Sequence, residues 1–136
     1  MSINVLTIII LITAVVSINA FSNRALVDRL TFNPYDVKHY KNHIRTIGHI
    51  LIHANWGHLF FNMFALYALG NVFLYELSMK YGMVMGQVHF LSLYILGALF
   101  ATVIPYIRHQ DNPAYRSLGA SGAVSVLAAI PNVFLA

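Results

Sequence analysis

The sequence predicts an all-α fold: a polytopic bundle of about four membrane-crossing helices forming a single domain over residues 1–136. Three observations carry this expectation. Apolar residues make up 59% of the chain and charged residues only 9%. The few charges are bunched, so that residues 2–23, 46–75, 81–107 and 117–136 contain no Asp, Glu, Lys or Arg. Each run approaches or exceeds the roughly 20 residues that a helix needs to cross about 30 Å of hydrocarbon.

The first helix is expected over about residues 3–20. It lacks the basic leader and small-residue cleavage site of a signal peptide, and its apolar stretch is too long for one, so it reads as retained. A connection of roughly twenty residues follows, too long for a simple helix–helix turn. It carries Asn33-Pro34 as a turn signal, and Tyr35, His39, Tyr40 and His43 interleaved with lysines. Aromatic and basic residues together suit the headgroup zone, on the membrane surface or folded partly into it.

The second helix is expected over about 55–74, with Asn55 placed to cap its first turn. Glu76 and Lys80 then mark a short turn. The third helix covers about 83–107, where Gly82 and Gly86 are spaced to let neighbouring helices come close. Residues 108–116, with Asn112-Pro113, form the next loop, and the fourth helix spans about 118–135. The apolar ending at Ala136, without a charged flank, is expected to be a truncation. Alternating crossings place the starts of the second and fourth helices on one side of the membrane, at similar depth.

Composition also excludes some function classes. The net charge of +4 does not point to nucleic acid, because the basic residues sit in loops beside apolar runs rather than in one patch. With no cysteine, a disulfide, a thiol nucleophile and a Cys-based zinc site are all ruled out.

Two motifs could carry chemistry. HANWGHLFFNM at residues 53–63 sets His58 and Asn62 four apart, hence on one helical face. Both donate hydrogen bonds without needing a charge, which suits stabilisation of an oxyanion in acyl transfer. The alternative is glue between helices, a common use of such residues in membranes. GASG at residues 119–122 exposes Ser121 among small neighbours, as a nucleophile requires when a base takes its proton. The alternative here is a small-residue packing face with the hydroxyl bonded back one turn. Ala123 excludes the G-x-S-x-G turn of soluble hydrolases.

Five histidines between positions 39 and 58 include the pairs His39/His43 and His49/His53 at a spacing that could hold a metal. Asp36 is the one nearby carboxylate, and an interfacial histidine band is the favoured reading. His89 reads as a packed polar residue. Trp56 and the many other aromatics read as interfacial or lipid-facing.

The two motifs in this order resemble the rhomboid family of intramembrane serine proteases. The resemblance runs over 45–126, with the H-x-x-x-N motif on the family's second helix and G-x-S-G on its fourth. It implies a rhomboid-like bundle in which about four helices of a six-helix core are present. It implies Ser121 as nucleophile, with His58, Asn62 and the Ser121 amide holding the oxyanion. His53 would be structural or assisting, and Glu76 a loop-ordering carboxylate. The implied activity is cleavage of transmembrane segments of protein substrates within the lipid bilayer, without metal or other cofactor. The implied location is a multi-pass protein of a bacterial cell membrane.

Two departures stand beside it. The family's general base is a histidine on the sixth core helix, and none of the seven histidines here matches it by motif, so these 136 residues alone are expected to be inactive. A catalytically inactive rhomboid-like protein that binds transmembrane clients is the alternative. Ile44 stands where many members carry an aromatic residue, and Pro131 falls early in the fourth helix. Orientation conflicts as well. Five basic residues in the first connection (Arg24, Arg29, Lys38, Lys41, Arg45) would put it inside by the positive-inside rule, whereas the family topology puts it outside.

Overall fold

A computed structural model describes residues 3–134, with side chains to Ile130. Seven α-helices occur among the described residues: α1 Val5–Phe21, α2 Arg24–Leu30, α3 Pro34–Tyr40, α4 Arg45–Gly48, α5 Trp56–Tyr81, α6 Met83–His109 and α7 Ser121–Phe134. A 3-10 turn, His49–Leu51, prolongs α4. The expected end of the last helix at residue 135 and the side chain of Pro131 lie outside the described residues.

Side-chain caps set many of these boundaries. Asn4, Asn23, Asn33 and Asn55 each accept a backbone N–H of the first turn they precede. Asn33-Pro34, read from sequence as a turn, is therefore a helix start, with Pro34 in the first turn where its missing N–H costs nothing. The amide of Gln87 extends the capping across helices, since its Oε1 accepts from Val5 N at 2.9 Å.

The α5 helix does not stop near residue 74. It continues to Tyr81, so Glu76 and Lys80 lie within the helix rather than in a turn. The stop is Gly82, at φ +87°, a conformation that favours glycine. The α6 helix then doubles back so closely that a Cβ on Gly86 would lie 2.7 Å from the Ser78 backbone. Small residues at such crossings substitute close backbone packing for hydrophobic drive.

At 26 and 27 residues, α5 and α6 are long and apolar enough to cross a membrane. Of the four expected crossings, these two reach that length among the described residues, where α1 and α7 are apolar but shorter. The distribution of side chains agrees with a lipid environment. On α1 the buried positions include Thr13, Ser17 and Ala20, while Ile8, Leu11, Ile12, Val15 and Ile18 are exposed. On α5, Phe60, Phe61 and Phe64 point outward and Asn62 inward. Water would penalise so large an exposed apolar surface.

The α5, α6 and α7 helices pack on one another and α1 lies against α5. Their shared core includes Leu66, Phe73, Phe90, Tyr94, Ala98, Ala123 and Leu127. The connection from α2 to the 3-10 turn folds over one end of this bundle. Arg45 holds it together: its Nη1 donates to Thr31 O at 2.7 Å, and its Nη2 lies 3.1 Å from Asp36 Oδ2.

Candidate active site

Two segments meet at the end of the bundle under the α2–α4 connection: residues 49–62, running into α5, and residues 117–121, running into α7. Phe32 and Ser117 exchange a pair of backbone hydrogen bonds (2.8 and 3.0 Å), and Gly119 N donates to His49 O at 2.8 Å. His49 is itself fixed, because its Nδ1 faces Arg45 O at 3.0 Å and a carbonyl only accepts. Burial pushes its pKa below the ordinary histidine value.

Asn55 caps α5 by accepting from His58 N at 2.8 Å, which places His58 in the first turn. His58 Nδ1 accepts from Ala54 N at 3.3 Å, so the neutral ring carries its proton on Nε2. That edge of the ring faces Gly119. A Cβ there would lie 2.7 Å from His58 Cε1 and 3.1 Å from Nε2, and Gly119 also sits at φ +108°. Only glycine meets both conditions.

One turn further along, Asn62 is buried, and its Nδ2 donates to His58 O at 2.9 Å. One amide N–H and the Oδ1 are left over. Neither His58 nor Asn62 hydrogen-bonds to another helix among the described residues. Ser121 is the first residue of α7 and its side chain is exposed. Its N–H is one of the amides that a helix start leaves without an intrahelical partner. The expected back-bonding serine exists, but it is Ser125, whose Oγ donates to Ser121 O at 2.7 Å. Gly122 packs directly on Ala101, which brings α6 against the start of α7.

His53 is almost wholly buried and makes an edge contact with His58, ring centroids 5.0 Å apart. Its Nε2 accepts from Ala120 N at 3.3 Å and its Nδ1 lies 3.0 Å from Ser17 Oγ. Burial, and secondarily the neighbouring His58, lower its pKa to about 4. With both ring nitrogens engaged, His53 has no lone pair free for a metal. Among the described residues, no group of three His, Asp or Glu could hold one.

Other sequence-predicted residues lie elsewhere. His39 joins Lys38 around Asp111, whose carboxyl is held below the ordinary carboxylate range by the Lys38 hydrogen bond. Trp56 is exposed beside Phe21, ring centroids 4.9 Å apart. Glu76 lies within α5 and lines a cavity of about 210 Å³ with Lys80, Tyr81 and His89, at the α5–α6 turn. Ser17, by contrast, was not singled out by sequence reasoning. The available signal was a small hydroxyl in an uncharged run, too common in membrane helices to stand out.

The architecture is that of an integral membrane protein in which an exposed serine heads one helix, two residues after a glycine that packs against a histidine of another. Residues 40–135 match the family model described as the Rhomboid domain, and the chain belongs to the rhomboid family. Comparisons with curated proteins and with solved structures give no match.

Proposed function

We propose that this chain carries the nucleophile and oxyanion site of an intramembrane serine endopeptidase that cleaves transmembrane segments of proteins. In this reading Ser121 Oγ adds to the scissile carbonyl carbon and gives its proton to a general base. His58 Nε2–H, the free Asn62 N–H and Ser121 N–H stabilise the oxyanion. Collapse expels the amine with a returned proton, and water hydrolyses the acyl-enzyme. The single observation that carries the proposal is the orientation of His58, with its protonated edge against Gly119, two residues before an exposed serine at a helix head.

The family topology completes the picture: α1 and α7 act as the remaining crossings of a multi-pass protein, in a bacterial cell membrane, with the active end lying just below one surface. Polar groups at that depth are tolerated where they face a water-filled cavity. The chemistry calls for neither metal nor cofactor.

A second reading rests on a specific observation. No side chain among the described residues hydrogen-bonds to Ser121 Oγ, and a serine without a base is a weak nucleophile. An inactive rhomboid-like protein that holds transmembrane clients would look the same at this site. Activity-based labelling decides between them. A fluorophosphonate should label wild type and not Ser121→Ala, whereas equal labelling of both, or of neither, rejects the protease.

A further inference from the structure

The hydrogen bonds around His53 admit only one placement of protons. A backbone N–H only donates, so the bond from Ala120 N makes His53 Nε2 an acceptor. The neutral ring must then carry its proton on Nδ1, 3.0 Å from Ser17 Oγ. Ser17 can accept it because its own hydrogen is directed at Leu51 O, at 2.8 Å. The result is an ordered chain, Ala120 N–H to His53 to Ser17 to Leu51 O, in which each donor has one acceptor. Ser17 is completely buried and His53 nearly so.

We propose that His53 is a positioning residue for Ser121, held in its Nδ1–H tautomer by Ser17 of α1. The proposal rests on Ser121 being the nucleophile. By accepting from Ala120, His53 fixes the Gly119–Ala120 peptide plane, while Gly119 N on its other side is fixed by His49 O. The peptide group that carries Ser121 N–H follows immediately. With the preceding planes fixed, this amide points along the α7 axis toward the oxyanion position instead of turning inward. His53 is not itself the proton acceptor, because its one lone pair is occupied by the Ala120 N–H.

Burial keeps the ring neutral at ordinary pH, which the arrangement requires, since a protonated ring would turn a donor against Ala120 N–H. The titratable groups facing it are His58 at its edge, and Arg24 and Asp28 across a surface cavity of about 520 Å³ that His53 also lines.

The test uses the full-length protein in lipid nanodiscs, with ¹⁵N-labelled histidine. The wild-type His53 resonances should report a neutral ring with the proton on Nδ1 at pH 7. Ser17→Ala removes the acceptor for that proton and should yield a mixture of tautomers, with fluorophosphonate labelling of Ser121 slowed about three- to tenfold. His53→Gln, whose amide can accept from Ala120 and donate to Ser17, should label within about threefold of wild type, and His53→Leu far more slowly. A wild-type ring protonated on Nε2, or a Ser17→Ala variant with unchanged tautomer and unchanged labelling, overturns the relay. A wild type that is not labelled at all overturns the nucleophile reading, and His53's part in it, whatever tautomer is found.

Discussion

Gly119→Ala tests the site most sharply, because two costs fall together at one position. The backbone sits at φ +108°, where an L side chain is strained by on the order of 1–3 kcal/mol. The added methyl would also lie 2.7 Å from His58 Cε1, and relief requires the ring to move. Gly82→Ala supplies the control: it has φ +87° with nothing within 4 Å of the added methyl, so it carries the backbone cost alone. Both variants of the full-length protein should lose several degrees in thermal midpoint in detergent. Only Gly119→Ala should lose fluorophosphonate labelling, by about a hundredfold, the typical effect of misplacing one oxyanion donor. If Gly119→Ala is labelled as fast as Gly82→Ala, the placement of His58 as an oxyanion donor is wrong.

Two further outcomes follow from the same region. The folded-state pKa of His53 is lowered from 6.5 to about 4, so its contribution to stability is fully present above pH 6.5 and is lost as pH falls toward 4. Linkage puts the loss at roughly 2 kcal/mol by pH 5, read as a fall in thermal midpoint; His49, shifted the same way, adds to it, and His53→Gln should flatten the slope. Asn55→Ala removes the cap on α5 and leaves His58 N–H without its partner, which should cost about 1 kcal/mol. Because the frayed turn contains His58, labelling of Ser121 should fall as well; a loss of stability with labelling intact would separate the cap from the site.

The residues of the proposed site stand out in the sequence because polar groups in apolar runs are conspicuous. His58 and Asn62 share a face through helical spacing alone, and Ser121 stands out among glycines and alanines. What remained hidden was either long-range or marginal. Nothing local says that Ser17 reaches His53, 36 residues away, or that Phe32 pairs with Ser117. Glu76 and Lys80 looked like a turn because charges usually mark the ends of membrane runs. The α5 helix is simply longer than the hydrocarbon, about 39 Å at the standard rise, so it can carry charges inside the helix and still cross. The twenty-residue connection was too polar for a helical period to emerge. Its three short helices are held by asparagine caps and by Arg45 rather than by an apolar face.

That connection does more than join two helices. Lys38 pairs with Asp111, Asn33 Nδ2 donates to Pro113 O, Phe32 pairs with Ser117, His49 O accepts from Gly119 and His53 from Ala120. The contacts advance in step along both segments, from residue 38 back to 32 and then on to 53, as the partner runs from 111 to 120. The exposed pair at the outer end contributes little, being screened by solvent. The buried bonds at Gly119 and Ala120 matter most, since losing either would leave a backbone amide unsatisfied. The start of α7 is thus held chiefly from outside its own helix. Its N-terminal amides point along the helix axis, where a helix start favours negative charge. The nucleophile proposed at that position would need a fixed backbone and a free side chain, and the connection provides the first without restricting the second.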